Sequence, residues 1–238
     1  MILSFYHTFR FWALISVLSL VLGAAATLAG LVDRSGNLAH RISSLWSRLL
    51  CEWNGIRVEL TGLEHVQRDR AQVFVANHQG FYDIFALSGY LPVQIRWVAK
   101  AVLFKIPFVG WAMKAAGYVS VERGDRKKSY QSFMATVEKL KSGSSVVIFP
   151  EGTRSADGTI GPFKKGGHLL AQRSNAPMIP ITIIGSKDII RKGSGNIYPG
   201  PIRIIISAPV ESDDSNKDED VLESIRDTIC KTYAKNLS

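Results

Sequence analysis

Twenty-two consecutive uncharged residues, Phe11 to Val32 (FWALISVLSLVLGAAATLAGLV), constrain this chain more than any other feature. As a helix the run measures roughly 33 Å, enough to cross the hydrocarbon core of a bilayer. Arg10 precedes it, and Arg34, Arg41 and Arg48 follow closely. That basic flank keeps the following domain on the cytoplasmic side of a cell membrane. Two other fates fit the same residues. Ala24-Ala25-Ala26 resembles a signal-peptide cleavage site, although the basic flank argues against export. The helix also suits a position within one leaflet, bent at Gly23 and Gly30. Residues 37–50 (NLAHRISSLWSRLL) then place Leu38, Ile42, Leu45 and Leu49 at helical spacing, with Arg41, Trp46 and Arg48 around them. That pattern fits a basic helix at a membrane interface, or an ordinary helix packed on the domain.

Beyond residue 54 the pattern changes. Short apolar runs alternate with helical stretches, which predicts one α/β domain over 54–238, preceded by membrane-associated helices over 1–53. Strands are expected at 57–61, 72–76, 96–99, 118–121, 145–149, 178–184 and 202–207. Helices are expected to close near Pro92, over 129–141, and from Val221, where Val221, Leu222, Ile225, Ile229 and Tyr233 share one stripe. The acidic run 211–220 (ESDDSNKDED) reads as a solvated loop. Lys and Arg total 29 against 20 acids, a net charge of +9 that suits an anionic partner. No nucleic-acid reader motif is present, and the apolar N-terminus points to lipid instead. Cys51 and Cys230 form no metal or redox pattern, and the five histidines show no H-x-x-x-H spacing, so no metal site is expected.

The chemistry-bearing stretches sit at strand ends. NHQGFYD (77–83) follows the apolar run 73–76. On one helix, residues five apart would lie about 140° apart and His78 would miss Asp83. A strand ending at Ala76, a turn at Gly80 and a helix starting near Phe81 would let them converge. A carboxylate on one imidazole nitrogen fixes the tautomer and leaves the other nitrogen basic. FPEGTRS (149–155) follows the apolar run 145–149; Gly152 permits close backbone approach, and Arg154 offers a planar fork for phosphate oxygens. It is no nucleotide P-loop, since G-x-x-x-x-G-K-[ST] is missing. GYVSVER (117–123) puts Arg123 at another strand end, and APMIPI (176–181) enters a strand through Pro180. Neither a G-x-S-x-G elbow nor a cysteine in a nucleophile setting is present.

This set, N-H-x-x-x-x-D, G-x-x-x-x-x-R, F-P-E-G-T-R and I-P-I, in this order, resembles the 1-acylglycerol-3-phosphate acyltransferase family over about residues 50–210. The resemblance implies a glycerolipid-acyltransferase-like domain, with a central mixed sheet flanked by helices. It implies His78 as catalytic base and Asp83 as its orienting acid. Glu151, Gly152, Thr153, Arg154, Arg123 and Lys100 (in WVAK) then match residues linked to the glycerol phosphate. It further implies lysophosphatidic acid as acceptor, an acyl-CoA or acyl carrier protein as co-substrate with no other cofactor, and membrane lipid as surroundings. Related members acting on another lyso-lipid or on glycerol 3-phosphate would share the same pair. Val119-Ser120-Val121-Glu122 departs from the Phe-Ile-Asp usual before the arginine. Residues 102–114 (VLFKIPFVGWAMK) suit either lipid contact through Phe104, Phe108 and Trp111 or burial in the core.

Overall fold

The computed structural model describes residues 2–122, 124–155, 158–190, 193–211 and 218–237. Seven strands form one sheet: β1 (Arg57–Thr61), β2 (Val73–Ala76), β3 (Ile95–Lys100), β4 (Val119–Val121), β5 (Ser145–Ile148), β6 (Met178–Ile184) and β7 (Pro201–Ile206), in the order β1-β7-β6-β2-β5-β3-β4. Every neighbouring pair is parallel except β6 with β7. The sheet is therefore mixed, as expected. Its central strands are near-continuous apolar runs because both faces are covered. Along β2 the pleat sends Phe74 and Ala76 into one core and Val73 and Val75 into the other.

The helices divide accordingly. α1 (Ile2–Val32), α2 (Asn37–Trp53) and α3 (Tyr82–Tyr90) cover the first face, through Phe11, Leu50 and Phe85 among others. α5 (Arg126–Lys141), α6 (Gly166–Ser174) and α8 (Asp218–Lys235) cover the second. α4 (Val109–Ala115) packs beside α1, and the short α7 (Ser186–Ile189) follows β6. The expected stripe on α8 is buried in full. α5 starts three residues earlier than its apolar pattern, because the Asp125 carboxylate accepts from the Lys128 amide and caps it. Of the acidic run 211–220, residues 212–217 lie outside the described residues.

α1 runs unbroken through Gly23 and Gly30. They let α4 and the turn before it approach: a Cβ on Gly30 would sit 2.7 Å from the Ala115 Cβ, and one on Gly23 would sit 3.0 Å from that of Phe108. The apolar stripe of α2 is divided: Leu38 and Leu45 are exposed, Leu45 47 % so, whereas Ile42 and Leu49 pack against the core beside the buried Ala39, His40, Ser47, Leu50 and Cys51. Residues 102–114 split between the two expectations. Phe104 is core, whereas Val102, Ile106 and Trp111 stand on the surface.

A buried polar cluster ties α2 to the sheet. His40 bonds the Tyr118 hydroxyl through Nδ1 at 2.9 Å, and its Nε2 accepts from the Ile95 amide at 3.4 Å. Arg96, also buried, donates to Asn37 Oδ1 and to the Ser35 carbonyl. Burial, helped by the Arg96 charge, pushes the His40 imidazole from 6.5 down to about 3. The unfolded chain binds that proton near 6.5 and the folded chain does not. The stabilisation is thus complete above 6.5 and is lost as pH falls from 6.5 towards 3. Thermal melts should show stability dropping below pH 6.5 more steeply in the parent protein than in His40→Gln. The difference should approach roughly 1.4 kcal/mol per pH unit.

Candidate active site

Strands β2 to β6 all run parallel, so their C-terminal ends share one edge of the sheet. That edge is where open α/β sheets bind ligands. Across it stand Ser186 after β6, His78 after β2, Glu151 after β5 and Lys100 at the end of β3. Asn77 fixes the end of β2: its side chain donates to the Ile183 carbonyl and accepts from the Ile183 amide, continuing the ladder onto β6.

The chain then turns sharply. His78 Nδ1–H donates to Asp83 Oδ2 at 2.7 Å. The same oxygen accepts from the Gln79 amide at 2.8 Å and the Gly80 amide at 2.9 Å. Asp83 is fully buried in the first turn of α3, where the helix dipole favours a negative charge. Since a carboxylate only accepts, Nδ1 carries the proton and Nε2 keeps its lone pair. The His78 side chain is 15 % exposed, and Nε2 has no hydrogen-bond partner among the described residues. Gly80 is required for a different reason than a special turn conformation. A Cβ there would lie 2.3 Å from the Ser186 carbonyl oxygen, so the backbone of the β6–α7 turn occupies the space.

The second motif wraps the first. Gly152 donates to the Phe149 carbonyl, closing a turn with Pro150 in its second position, and Gly152 takes the left-handed φ of 77°. Glu151 Oε1 accepts from the His78 amide at 2.8 Å, and the Ser155 amide donates to the His78 carbonyl at 2.9 Å. The Phe149 ring stacks on the imidazole at 4.0 Å and 14°, and Trp97 stacks against Phe149 in turn. Asn77, Phe149, Trp97 and Gln79 are contributors that motif reasoning passed over. Asn77, Gln79 and Phe149 lie within the motifs themselves, and Trp97 opens the WVAK stretch that ends at Lys100.

Lys100 is exposed two strands across from His78, about 10 Å away at the backbone, since strands lie about 4.8 Å apart. Thr153 is exposed and Arg154 half-buried on the same edge. Arg123 lies outside the described residues. Thr153, Ser155, Thr159 and Lys164, with Glu151, line a cavity of about 360 Å³ beside the histidine. Among the described residues no cluster of three His, Cys, Asp or Glu side chains could hold a metal ion. Burial pushes the Cys51 thiol up to about 12, which leaves it unreactive.

The acyltransferase family profile matches residues 57–184, which contain His78, Asp83, Lys100 and Glu151. A 1-acyl-sn-glycerol-3-phosphate acyltransferase of Helicobacter pylori is 32% identical over 167 residues, covering 70% of each chain. The chain belongs to the 1-acyl-sn-glycerol-3-phosphate acyltransferase family. A chloroplast member from Brassica napus is 38% identical over 173 residues, 72% of this chain. The chain spans about half the length of that relative (50%) and of one from Arabidopsis thaliana (48%). The fold match extends further. The crystal structure of a Thermotoga maritima 1-acyl-sn-glycerophosphate acyltransferase superposes with a TM-score of 0.85 at 27% identity, covering 98% of this chain and 96% of that one. In this member Gly80→Ala should lower stability by about 1–3 kcal/mol through forced overpacking, read as a lower melting temperature.

Proposed function

We propose that the protein transfers an acyl chain from a thioester, on CoA or acyl carrier protein, to the sn-2 hydroxyl of lysophosphatidic acid. The observation that carries this reading is the 2.7 Å contact between His78 Nδ1 and Asp83 Oδ2, with Nε2 left open. Nε2 takes the hydroxyl proton as the oxygen attacks the thioester carbonyl. The tetrahedral oxyanion collapses, the C–S bond breaks, and the imidazolium returns its proton to the departing thiolate. Such base catalysis contributes on the order of 10²–10⁴ in rate. Asp83 keeps the imidazole in the required tautomer and stabilises the transient cation. Arg154 and Lys100, with Arg123 by family resemblance, are assigned to the acceptor phosphate. Holding the phosphate orients the hydroxyl and selects phosphorylated acceptors.

The same reading covers the N-terminal region. α1 meets the domain near its start, where Phe11 packs on Tyr82, and again at Gly23 and Gly30. α1 is long and apolar enough to cross a membrane, and its contacts with the domain near both ends favour the reading in which it lies along the domain. Phe9, Trp12, Leu20, Leu28 and Leu31 on α1, Leu45 on α2 and Trp111 on α4 give the exposed apolar surface. Residues 1–53 would then rest this surface in one leaflet of the cell membrane, with the catalytic domain on the cytoplasmic side.

Thiol release by the purified protein in detergent tests the reaction, with lysophosphatidic acid plus an acyl-CoA or an acyl carrier donor. His78→Ala should abolish turnover while the protein stays folded; retained turnover removes the base. Asp83→Asn should cost about 10²–10⁴ in kcat. Arg154→Ala should mainly raise the acceptor KM, and an unchanged acceptor KM would count against its phosphate role.

A further inference from the structure

The family resemblance places Glu151 among the residues linked to the acceptor phosphate, yet its carboxylate is already engaged. Oε1 accepts from the His78 amide at 2.8 Å and Oε2 accepts from the Gly161 amide at 2.9 Å. Both contacts are charge-assisted, and a carboxylate repels a phosphate rather than binding it. We infer that Glu151 is a positioning residue that bridges the backbone of the catalytic histidine to the 158–164 wall of the neighbouring cavity, and does not bind substrate. This rests on the acyl-transfer reading above and assigns one of its residues a different task.

The two ends of the bridge are each fixed from a second direction. On the histidine side, the Ser155 amide holds the His78 carbonyl, so both polar groups of that residue's backbone are held by the 151–155 loop. On the wall side, Arg226 of α8 donates to the carbonyls of Ile160 and Gly161. Gln79, the residue after the histidine, donates to the Gly158 carbonyl and accepts from the Tyr233 hydroxyl of α8. Glu151 is thus the central tie in a frame joining the turn after β2, the loop after β5 and α8. The cavity that it borders is lined by Thr153, Thr159 and Lys164, and loss of the tie would release the His78 amide and with it the position of Nε2. A displacement of about 1 Å between base and substrate costs about 10²-fold in rate.

The test compares Glu151→Gln and Glu151→Asp with the parent protein. Glutamine keeps the shape but sets an NH₂ against one of the two backbone amides. Aspartate keeps the charge but is one methylene too short to reach both. Three quantities are read in detergent: the thermal melt, lysophosphatidic acid binding by titration calorimetry with its stoichiometry, and kcat and KM for the acceptor. Expected are full binding stoichiometry, acceptor Kd and KM within about twofold of the parent, and kcat down about 10²-fold for glutamine and about tenfold for aspartate. Full stoichiometry separates misplaced chemistry from a merely misfolded fraction. If the glutamine variant does not fold, the aspartate variant carries the comparison alone. A kcat within about threefold of the parent in the folded variants overturns the inference. So does a change of about tenfold or more in acceptor KM with kcat intact, which would return Glu151 to the phosphate site. If the parent shows no turnover with either donor, the acyl-transfer reading fails and this inference falls with it.

Discussion

Asp83 is a fully buried carboxylate, and one of its oxygens accepts three N–H groups: the His78 imidazole and the amides of Gln79 and Gly80. Moving an ionised carboxylate out of water costs several kcal/mol unless it is hydrogen-bonded. The charge-assisted bonds offset that cost only while the chain makes this particular turn. The carboxylate therefore folds the 77–83 turn, sets the histidine tautomer and aims the ring with a single oxygen. The site depends on this contact, and the contact depends on β2 ending where Asn77 fastens it to β6.

Around this turn the backbone carries more of the organisation than the side chains do. Glu151 and Ser155 grip the peptide groups of His78, and Phe149 covers the face of its ring. In the proposed mechanism such contacts would fix the position of the base, to which proton transfer is sensitive. The opposite requirement governs the N-terminal helices. There Phe11, Leu18, Ala26 and Ala29 pack inward, while Phe9, Trp12, Leu20, Leu28 and Leu31 leave a broad apolar surface exposed, of the kind that marks an interaction site.

Much of this was legible from the residues. The alternation of short apolar runs and helical stretches placed all seven strands to within a residue or so, because buried parallel strands must be apolar on both faces. The helical stripe on α8 was equally readable. The boundaries that moved did so for local reasons, as where the Asp125 cap began α5 ahead of its apolar stripe. The stripe of α2 fits either a membrane interface or packing on the domain, and only the positions of α1 and α4 show that His40, Leu50 and Cys51 point inward while Leu38 and Leu45 stand exposed. Residues 102–114 fit lipid contact or the core equally, and Phe104 falls to the core, since an apolar run tells nothing about which of its members face inward.

The sequence by itself determined the candidate groups: a histidine and an acid five residues apart across a turn, an F-P-E-G-T-R stretch after an apolar strand, and a long uncharged helix. Each is local, fixed by spacing and residue type within a few positions. Tertiary structure alone decided how they meet. The crossover order β6-β2-β5-β3 sets Glu151 and Ser155, more than seventy residues away, against the backbone of His78. It also set Glu151 between two amides, and the Ser186 carbonyl where a side chain on Gly80 would have to be. Hydrogen bonds and close contacts between distant segments depend on strand order and register, and no periodicity in one segment encodes the position of another.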